Sequence, residues 1–439
     1  MNLVLLSGGS GKRLWPLSNE IRSKQFIKLF QTAGGDHESM VQRMYHQIKE
    51  VDKEGTITVA TSKTQASAIQ NQLGDGVDIC VEPCRRDTFP AIALATLYLR
   101  DVKGKSEDDV VVICPVDPYV NKDYFEALLK LNELAEKGGA NLSLLGMQPT
   151  YPSEKYGYIL PVSADNVSMV ETFKEKPDEA TAAKYIEQGG LWNGGIFAFK
   201  IGYLCKKIDE LTGINTYREI FETYASLEKI SFDYQVVERE ESVQVLRFYG
   251  EWKDLGTWNT LTEAMAEETI GNVITGCNCE NTHVINELDV PVVCLGLKDV
   301  VVAASPEGIL VSDKHQSSYM KPIVEQIHQQ IRFAEKSWGS FRVVDVEEEG
   351  LTIKITLNPG HKMNYHSHER RDEVWTVVQG HGYAVIDGEK IPMKEGSVLR
   401  MPRGCKHTVF AESELKIMEV QLGNDIDVAD KTKHAMPEV

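Results

Sequence analysis

Two groups of residues in this chain have side-chain types and spacings that could do chemistry. The first is a glycine-rich loop, residues 7–13 (SGGSGKR), which directly follows a short apolar run. Its glycines let backbone N–H groups turn toward a bound anion, and the basic pair that ends the loop adds positive charge. Arg13 stands where a P-loop needs Ser or Thr, and Leu14 replaces the third glycine of a dinucleotide fingerprint. The loop is therefore either an anion site of another kind or a tight turn with a solvated basic pair.

The second group is a histidine cluster near the C-terminal end. His366 and His368 are two residues apart, so on a strand they point to the same side. A following strand can bring Glu373 beside them, and His407 can approach from a neighbouring strand. Three imidazoles and one carboxylate are a good ligand set for zinc, iron, manganese or nickel. A lone histidine is more often structural, but these four residues together predict a transition-metal site.

The composition is that of an ordinary globular protein, and it limits the classes of partner. The chain has 439 residues, 42% hydrophobic and 26% charged, which predicts two or three domains with a sizeable core. Acidic residues number 65 and basic residues 47, so the formal net charge is -18. Such a field repels nucleic acid and anionic membranes, so we expect neither as a partner. A phosphorylated substrate would need a local positive site.

The first residues and the cysteines indicate the compartment. The chain begins without a basic segment and runs straight into the glycine loop, which predicts a first strand and not a signal peptide. Its apolar runs are all shorter than the roughly 18 residues of a membrane span. The eight cysteines include no CxxC pair, so we expect reduced, mostly buried thiols and a cytoplasmic protein.

The elements that must position these groups change in type along the chain. Over residues 1–268, short apolar runs alternate with helical patterns, which predicts an α/β domain with a mostly parallel, doubly wound sheet. The predicted strands include residues 3–6, 57–60, 110–114 and 142–146, and the predicted helices include 37–49, 64–73, 89–101 and 122–137.

Two further regions are predicted after residue 268. Short β-type runs broken by Gly and Asn over residues 270–315 predict a small all-β segment with rung-like repeats, as in a β-helix. One linker helix is predicted over residues 317–335, because five apolar residues fall on one of its faces. The second region is therefore 269–335. Residues 336–439 predict a C-terminal β-barrel domain, with the polar residues after Gly423 expected to fray.

Several motifs occur in the order that is typical of one enzyme family. Residues 8–18 (GGSGKRLWPLS) with residues 24–26 (KQF) resemble the signature of sugar-1-phosphate nucleotidylyltransferases, in particular the mannose-1-phosphate guanylyltransferase branch. The further matches are residues 82–95, 115–118, 155–159, 173–177, 192–197 and 252–258. The chain departs from the family at Lys12, Asp87, Pro118 and Gly194, where Thr, Asn, His and Ser are usual. The resemblance covers residues 1–425 and implies a nucleotidyltransferase sheet.

The resemblance also implies roles for individual residues. It implies that the nucleoside triphosphate binds at Gly8, Gly9, Ser10 and Gly11, with the base and ribose near Glu82, Arg86, Asp87 and Thr88. It implies that the sugar phosphate binds near Gly157, Tyr158, Glu175, Asn193 and Gly195. The catalytic residues it implies are Arg13 and Lys24 at the triphosphate, Lys176 at the sugar phosphate, and Asp117 and Asp254 as ligands of Mg²⁺.

By this resemblance the expected reaction joins GTP and mannose 1-phosphate into GDP-mannose and releases pyrophosphate. Two carboxylates can hold a hard divalent ion, and basic side chains can offset the charge of the reacting phosphates. The sugar phosphate is already a good nucleophile, so no protein base is needed. Taken singly, each residue has a plainer explanation: an Asp at a strand end is often a helix cap, and Glu175 could merely pair with a lysine. Another base, another hexose and a catalytically silent regulatory homologue are the alternatives.

The histidine cluster fits the same family. Its spacing resembles the two cupin motifs, except that Ala411 stands where a final Asn is usual. Long family members carry such a cupin as a type II phosphomannose isomerase, and by that resemblance Arg371 is the catalytic arginine. Lys336, His366 and residues 369–370 depart from the isomerase pattern. The cupin could therefore isomerise mannose 6-phosphate, act on another sugar phosphate, or serve as a structural or oligomerising domain of a homo-oligomer.

Overall fold

The first strand is buried because it lies between two parallel neighbours. Leu3 pairs with Ile57 on one side and with Val112 on the other. The computed structural model describes residues 1–9, 12–424, 426–427 and 430–437, with the backbone alone at Lys12. The chain divides into two units. The first unit comprises Met1–Gly9, Gln25–Ala66 and Leu73–Gly256, and the second comprises Ser10–Lys24, Ser67–Gln72 and Thr257–Val439.

The chain up to residue 256 alternates strands and helices, as predicted. The strands are β1 (Asn2–Ser7), β2 (Lys28–Gln31), β3 (His37–Ser39), β4 (Thr56–Ser62), β5 (Asp78–Glu82), β6 (Val110–Pro115), β7 (Pro118–Val120), β8 (Leu142–Met147), β9 (Gly157–Pro161), β10 (Val167–Lys174), β11 (Leu191–Lys200), β12 (Val243–Phe248) and β13 (Trp252–Asp254). The helices are α1 (Met40–Val51), α2 (Ala66–Leu73), α3 (Thr88–Asp101), α4 (Lys122–Lys137), α5 (Glu179–Glu187), α6 (Ile201–Thr212), α7 (Tyr217–Thr223) and α8 (Phe232–Gln235).

Nine of these strands form one sheet in the order β5-β4-β1-β6-β11-β8-β12-β10-β9. The α/β fold is confirmed, but the sheet is mixed. Strands β5, β4, β1 and β6 are parallel and so are β8 and β12, whereas β11 runs antiparallel to both β6 and β8. The apolar run that predicted β6 is buried throughout, because it has strands on both sides and helices on its faces.

Local sequence explains where the helices begin. Helix α1 starts three residues later than predicted, because residues 37–39 form β3 and Ser39 then caps the helix in a capping box with Gln42. Helix α3 is capped by Asp87 and buries ten of its residues, which fits its almost continuous apolar sequence. Helix α4 ends at Gly138, whose left-handed conformation (φ 69°) suits a glycine.

Residues 257–324 begin with a helix and continue as stacked short strands. The elements are α9 (Trp258–Ala264), β14 (Thr269–Gly271), β15 (Val273–Thr275), β16 (His283–Asn286), β17 (Val292–Cys294), β18 (Val300–Ser305), β19 (Gly308–Asp313) and α10 (Lys321–Val324). Strands β14, β16 and β18 stack in parallel, as do β15 and β17, so the predicted rung-like repeat is confirmed. Strand β19 adds an antiparallel edge.

The prediction of one linker helix over residues 317–335 is wrong. Only a short turn, Gln316–Tyr319, and α10 are helical there, and Phe333–Lys336 is already a strand. Pro322 lies in the first turn of α10, which is the only position where a helix tolerates its missing N–H. The apolar face that suggested the helix finds no core: Ile323 is 68% exposed and Ile327 is 40% exposed.

The rest of the chain forms two antiparallel sheets around one apolar core. The strands are β20 (Phe333–Lys336), β21 (Gly339–Glu347), β22 (Gly350–Leu357), β23 (His366–Ser367), β24 (Asp372–Gln379), β25 (His381–Ile386), β26 (Glu389–Lys394), β27 (Val398–Met401), β28 (His407–Ala411), β29 (Leu415–Leu422) and β30 (Thr432–Lys433). Their order is β20-β21-β22-β29-β24-β27 in one sheet and β26-β25-β28-β23-β30 in the other. The predicted cupin barrel is confirmed.

The expectation that the residues after Gly423 fray is wrong for the last described segment. Strand β30 pairs with β23, where Lys433 lies opposite His366. The N–H group of His434 donates to the carbonyl of Tyr365 at 2.9 Å, and the carboxylate of Asp430 accepts two backbone N–H groups. These hydrogen bonds hold a polar segment that has little apolar surface to bury.

The state of the cysteines and the character of the helices were also predicted from the sequence. All eight cysteines lie within the described residues and are free thiols, and five of them are buried. None of the helices in the described ranges combines the length and the apolar character that a membrane crossing requires.

Candidate functional site

A cavity of about 240 Å³ lies in the first unit, beside the end of β6. The ends of parallel strands are where ligands usually bind in α/β sheets. Strands β7, β9, β11 and β13 contribute further residues, as do α3, α8 and the loops before β9 and after β10. Seven residues predicted from the sequence line it: Thr88, Asp117, Gly157, Glu175, Asn193, Gly195 and Asp254. The fold therefore brings together residues that are far apart in the chain.

Two carboxylates stand on neighbouring backbone positions of this wall. Asp117 comes directly before β7, and Asp254 ends β13. The two strands are antiparallel, with Asp254 opposite Pro118, so both side chains reach the cavity. Burial, followed by the charge of Asp254, raises the pKa of the neighbouring Tyr156. Carboxylate oxygens are the ligands that magnesium prefers, so this donor set fits the predicted ion.

An acidic side chain with a spare acceptor lies at the predicted sugar site. Glu175 is 7% exposed, and its Oε1 accepts a hydrogen bond from Nζ of Lys176 at 2.6 Å. Its Oε2 is buried and has no hydrogen-bond partner among the described residues. Burial opposes the charge of Lys176, but the hydrogen bond and charge of Glu175 outweigh it and raise the pKa of the lysine. A buried acceptor without a donor is costly, and a ligand hydroxyl could supply that donor.

Asp233 also lines the cavity, although the sequence analysis did not select it. Its Oδ1 accepts a hydrogen bond from the side-chain amide of Asn193 at 2.6 Å. Burial, with the charge of Glu175 second, raises the pKa of Asp233 to about 6. Gly195 has φ 73° and donates its N–H to Oδ1 of Asn193 at 3.1 Å. The turn of β11 therefore holds the Asn193 side chain between Gly195 and Asp233.

Tyr158 is not among the residues that line the cavity. Its side chain is fully buried, and its hydroxyl accepts hydrogen bonds from the N–H of Ser153 at 2.9 Å and from Nε1 of Trp192 at 3.0 Å. The structure thus gives Tyr158 contacts in the core under the predicted sugar site. It supports the strand that carries Gly157.

The residues predicted near the base and ribose are mostly bound to other parts of the first unit. Glu82 is buried and accepts a hydrogen bond from the hydroxyl of Tyr224 at 2.8 Å, and burial raises its pKa. Arg86 donates to the carbonyl of Ala225. Asp87 has φ 71° and caps α3. Only Thr88 of this group lines the cavity, where its hydroxyl accepts the N–H of Phe232 at 2.8 Å.

The glycine loop is described in part. No atom of the described residues lies within 4 Å of where a side chain would begin at Gly8 or Gly9, which suits a ligand that approaches the backbone. Ser10 and Gly11 lie outside the described residues. Arg13 and Lys24 sit in two short turns, Lys12–Leu14 and Lys24–Phe26, and belong to the second unit. Their contacts with phosphates stay a prediction.

The three cupin histidines form a second candidate site. Their ligand atoms lie within 4.8 Å of one another, and all three side chains are buried. The Nδ1 atom of each ring is bound to a backbone carbonyl: Asn364 at 2.6 Å for His366, Cys405 at 3.0 Å for His407, and Asp430 for His368. A ring that donates from Nδ1 offers the lone pair of Nε2 to a metal. Burial, followed by the charge of Lys431, lowers the pKa of His366 to about 2, so that ring is neutral.

Glu373 completes the predicted ligand set. Its Oε2 lies 3.2 Å from Nε2 of His407, and both atoms are buried without a hydrogen-bond donor among the described residues. Two unmatched acceptors facing each other suit a metal cation between them, so these residues fit a transition metal.

Arg371 lies against the same group. Its Nε donates to Oε1 of Glu373 at 2.9 Å, and its Nη2 donates to Nε2 of His368 at 3.1 Å. Its Nη1 donates to the carbonyl of Asp427 at 3.0 Å. The predicted catalytic arginine is therefore buried beside the predicted metal ligands, and it donates hydrogen bonds to two of them, Glu373 and His368.

Comparisons with known proteins identify the families of both parts of the chain. Residues 2–270 match the nucleotidyl transferase family, and residues 353–421 match the cupin domain. The chain is 29% identical to a mannose-1-phosphate guanylyltransferase of Escherichia coli K12, over 98% of this chain and 97% of that protein. It is 30% identical to the xanthan biosynthesis protein XanB of Xanthomonas campestris strain B100, over 96% of this chain and 95% of that protein.

A solved structure shows the same fold over most of the chain. It comes from Thermus thermophilus, is described as a mannose-1-phosphate geranyltransferase, and is 29% identical to this chain. The match has a TM-score of 0.59 and covers 74% of this chain and 98% of that one. The chain therefore belongs to the nucleotidyl transferase family, and specifically to the long mannose-1-phosphate guanylyltransferases that carry a C-terminal cupin domain.

Proposed function

We propose that this chain transfers a nucleotidyl group from a nucleoside triphosphate to a sugar 1-phosphate, with GTP and mannose 1-phosphate as the pair. The observation that carries the proposal is the cavity in which Asp117 and Asp254 stand beside Glu175 and Asn193. The name of the Escherichia coli relative supports the choice of the guanylyl group and of mannose.

The reaction needs positioning and charge compensation more than acid–base chemistry. A phosphate oxygen of the sugar phosphate forms a bond to the α-phosphorus of the triphosphate. The bond between that phosphorus and the α–β bridging oxygen breaks, and pyrophosphate leaves with the electron pair. The nucleophile is already anionic at neutral pH, so aligning the two phosphates is the main task.

Asp117 and Asp254 would hold a magnesium ion, which supplies positive charge next to the reacting phosphates. Lys176 is held at the sugar side by its 2.6 Å hydrogen bond to Glu175. The free acceptor Oε2 of Glu175 and the carboxylate of Asp233 would accept hydrogen bonds from sugar hydroxyls. Arg13 and Lys24 would bind the triphosphate, as the motif resemblance implies.

The test is pyrophosphate release with magnesium, crossing the four ribonucleoside triphosphates and dTTP with a panel of sugar 1-phosphates. Strong turnover confined to GTP and mannose 1-phosphate is the expected result. Turnover with another pair would keep the chemistry and change the substrates. No turnover with any pair would overturn the proposal and favour a silent regulatory homologue.

The cupin supports a second candidate function, metal-dependent isomerisation of a sugar phosphate such as mannose 6-phosphate. The observation that favours it is the cluster of three imidazoles, two of which (His368 and His407) have Nε2 within 3.2 Å of the Glu373 carboxylate, with Arg371 beside them. The test is conversion of mannose 6-phosphate to fructose 6-phosphate by the whole chain loaded with zinc, manganese, iron or nickel. Activity that Arg371→Ala abolishes is expected, and inactivity with every metal would leave the cupin without this role.

We also propose a cytoplasmic location and self-association. The eight free thiols suit a reducing compartment. Exposed apolar side chains on strands β15 and β17, Ile274 at 57% and Val293 at 59%, suit contact with a second copy. Sedimentation velocity of the parent and of Ile274→Ser with Val293→Ser would show a loss of oligomer in the variant.

A further inference from the structure

A buried carboxylate in the β-helix segment binds both the region after the glycine loop and the first strand of the cupin. Glu307 lies between β18 and β19 and is 7% exposed. Its Oε1 accepts three hydrogen bonds: from the side-chain amide of Asn19 at 2.9 Å, from the N–H of Arg332 at 2.9 Å and from the N–H of Phe333 at 3.0 Å. Asn19 also donates to the carbonyl of Phe333 at 2.9 Å.

A second carboxylate of the same segment holds the same stretch of chain. Both guanidinium Nη atoms of Arg22 donate to Glu287, each at 2.8 Å. Arg22 is 7% exposed, and its guanidinium lies over the ring of Phe333 at 4.9 Å. Burial opposes its charge, but Glu287 outweighs burial and raises the pKa of the arginine. A two-pronged arginine–carboxylate pair fixes orientation as well as distance.

Helix α9 and the β-helix segment (residues 270–315) also contact the backbone of the Leu-Trp-Pro-Leu-Ser run. The hydroxyl of Ser305 donates to the carbonyl of Pro16 at 2.6 Å, and Nε1 of Trp258 donates to the carbonyl of Trp15 at 3.1 Å. A Cβ atom at Gly308 would lie 2.5 Å from Cζ2 of Trp15, so the indole ring packs directly against the glycine backbone. Residues 15–22 are therefore fixed at four separate points.

Such anchoring matters because of what flanks residues 15–22. Arg13 precedes them and Lys24 follows them, and these are the two basic side chains assigned to the triphosphate. A buried carboxylate is tolerated only when its hydrogen bonds are satisfied, so the buried Glu307 has a well-defined position. The half-buried Glu287 is fixed by its two hydrogen bonds to the buried guanidinium of Arg22. A basic side chain offers charge to a phosphate most effectively when the backbone that carries it is fixed beforehand.

We propose that Glu307 and Glu287 are positioning residues for the nucleotidyl transfer: they act through Asn19 and Arg22 to fix the segment that carries Arg13 and Lys24. This inference rests on the proposed function, since it assigns the two acids to the triphosphate half of that reaction. It gives the β-helix segment a part in nucleotide binding, separate from the sugar half of the site.

The experiment compares Glu307→Gln, Asn19→Ala and the double variant of the full chain by pyrophosphate release. Each single change should raise KM for GTP about tenfold and leave KM for mannose 1-phosphate within about twofold. The effect of the double variant should be smaller than the two single effects combined, because both changes remove the hydrogen bond between Asn19 and Glu307. Glu287→Gln should also raise KM for GTP only. Glu280→Gln is the matched control, because Glu280 is a 65% exposed acid of the same segment, paired with Lys298 at the surface.

A second readout does not depend on turnover. Hydrogen–deuterium exchange of peptides covering residues 13–24 should be faster in Glu307→Gln and Asn19→Ala than in the parent. Outside this segment, we expect faster exchange only around Arg332 and Phe333, whose N–H groups also bind Glu307. If the parent is active but exchange of residues 13–24 and KM for GTP are the same in the variants as in the parent, the positioning role of Glu307 and Glu287 is overturned. Equal rises in both KM values together with a lower unfolding temperature would also overturn it, because that pattern indicates general destabilisation. An inactive parent would instead overturn the proposed function, and the role in triphosphate binding with it.

Discussion

The side-chain amide of Asn193 donates a 2.6 Å hydrogen bond to Oδ1 of Asp233, joining strand β11 to helix α8 at the wall of the cavity. Asp233 thereby faces the same space as Glu175, whose charge helps to raise the pKa of Asp233 to about 6. Strongly shifted acids in a cleft are typical of functional sites. Glu175 and Asp233 thus place two acids at the sugar half of the cavity, and the pKa of Asp233 lies close to neutral pH.

Asp233→Asn should stabilise the protein at neutral pH. The pKa of Asp233 is about 6 in the folded chain against 3.8 for the ordinary side chain, so between these values the folded state holds a proton that the unfolded state has lost. Stability therefore falls as pH rises through this window. The asparagine variant should be more stable than the parent by up to about 3 kcal/mol at neutral pH, and equal to it below the window. Urea unfolding at a series of pH values measures this. A difference that did not change with pH would contradict the assignment.

Gly157→Ala should weaken binding of the sugar phosphate. A Cβ at this position would lie 2.4 Å from Oε2 of Glu175 and 3.0 Å from Cζ of Phe173, so the acceptor assigned to a sugar hydroxyl must move. We expect KM for the sugar phosphate to rise about tenfold, with KM for the nucleotide nearly unchanged. Gly34→Ala is the control, since its Cβ would meet only Oγ1 of Thr32 at 3.7 Å. Equal effects on the two KM values would count against this placement of the sugar.

His407→Ala should remove the metal of the cupin. Its Nε2 faces Oε2 of Glu373 at 3.2 Å, and the loss of one of three imidazoles leaves a poor ligand set. Metal analysis of protein loaded with zinc or manganese and then dialysed should find about one ion per parent chain and a small fraction of that in the variant. His381→Ala, whose ring is 61% exposed, is the matched control. Equal metal content in the parent and His407→Ala would refute the site.

The sequence predicted the parts of the fold that depend on local pattern. Strands β1, β4, β6 and β8 follow from buried apolar runs, and helices α3 and α4 from the runs between them. The histidine cluster was predictable because the spacing of its members is characteristic, although only His366 lies in β23 and His368 follows that strand. The antiparallel direction of β11 was not, because an apolar strand carries no signal of its direction.

The other differences between the sequence predictions and the structure depend on contacts between residues that are distant in the chain. Glu82 and Arg86 were assigned to the nucleotide by motif, but Glu82 is hydrogen-bonded to Tyr224 and Arg86 to the Ala225 carbonyl, which no local pattern reveals. Asp233 was missed because it lies in a short helix outside the motifs that carry the family resemblance. Only the register of β11 brings Asn193 to it. The helix over residues 317–335 was predicted from a periodicity whose apolar face has no surface to pack against.

Turnover of Asp254→Asn tests the central claim most directly, because Asp254 and Asp117 are the two carboxylates on which the transferase assignment depends. We expect magnesium-dependent pyrophosphate release from GTP and mannose 1-phosphate to fall at least about 100-fold, with unfolding temperature little changed. Asp108→Asn, a 93% exposed acid of the same unit, should match the parent. Full magnesium-dependent turnover by Asp254→Asn would contradict the account.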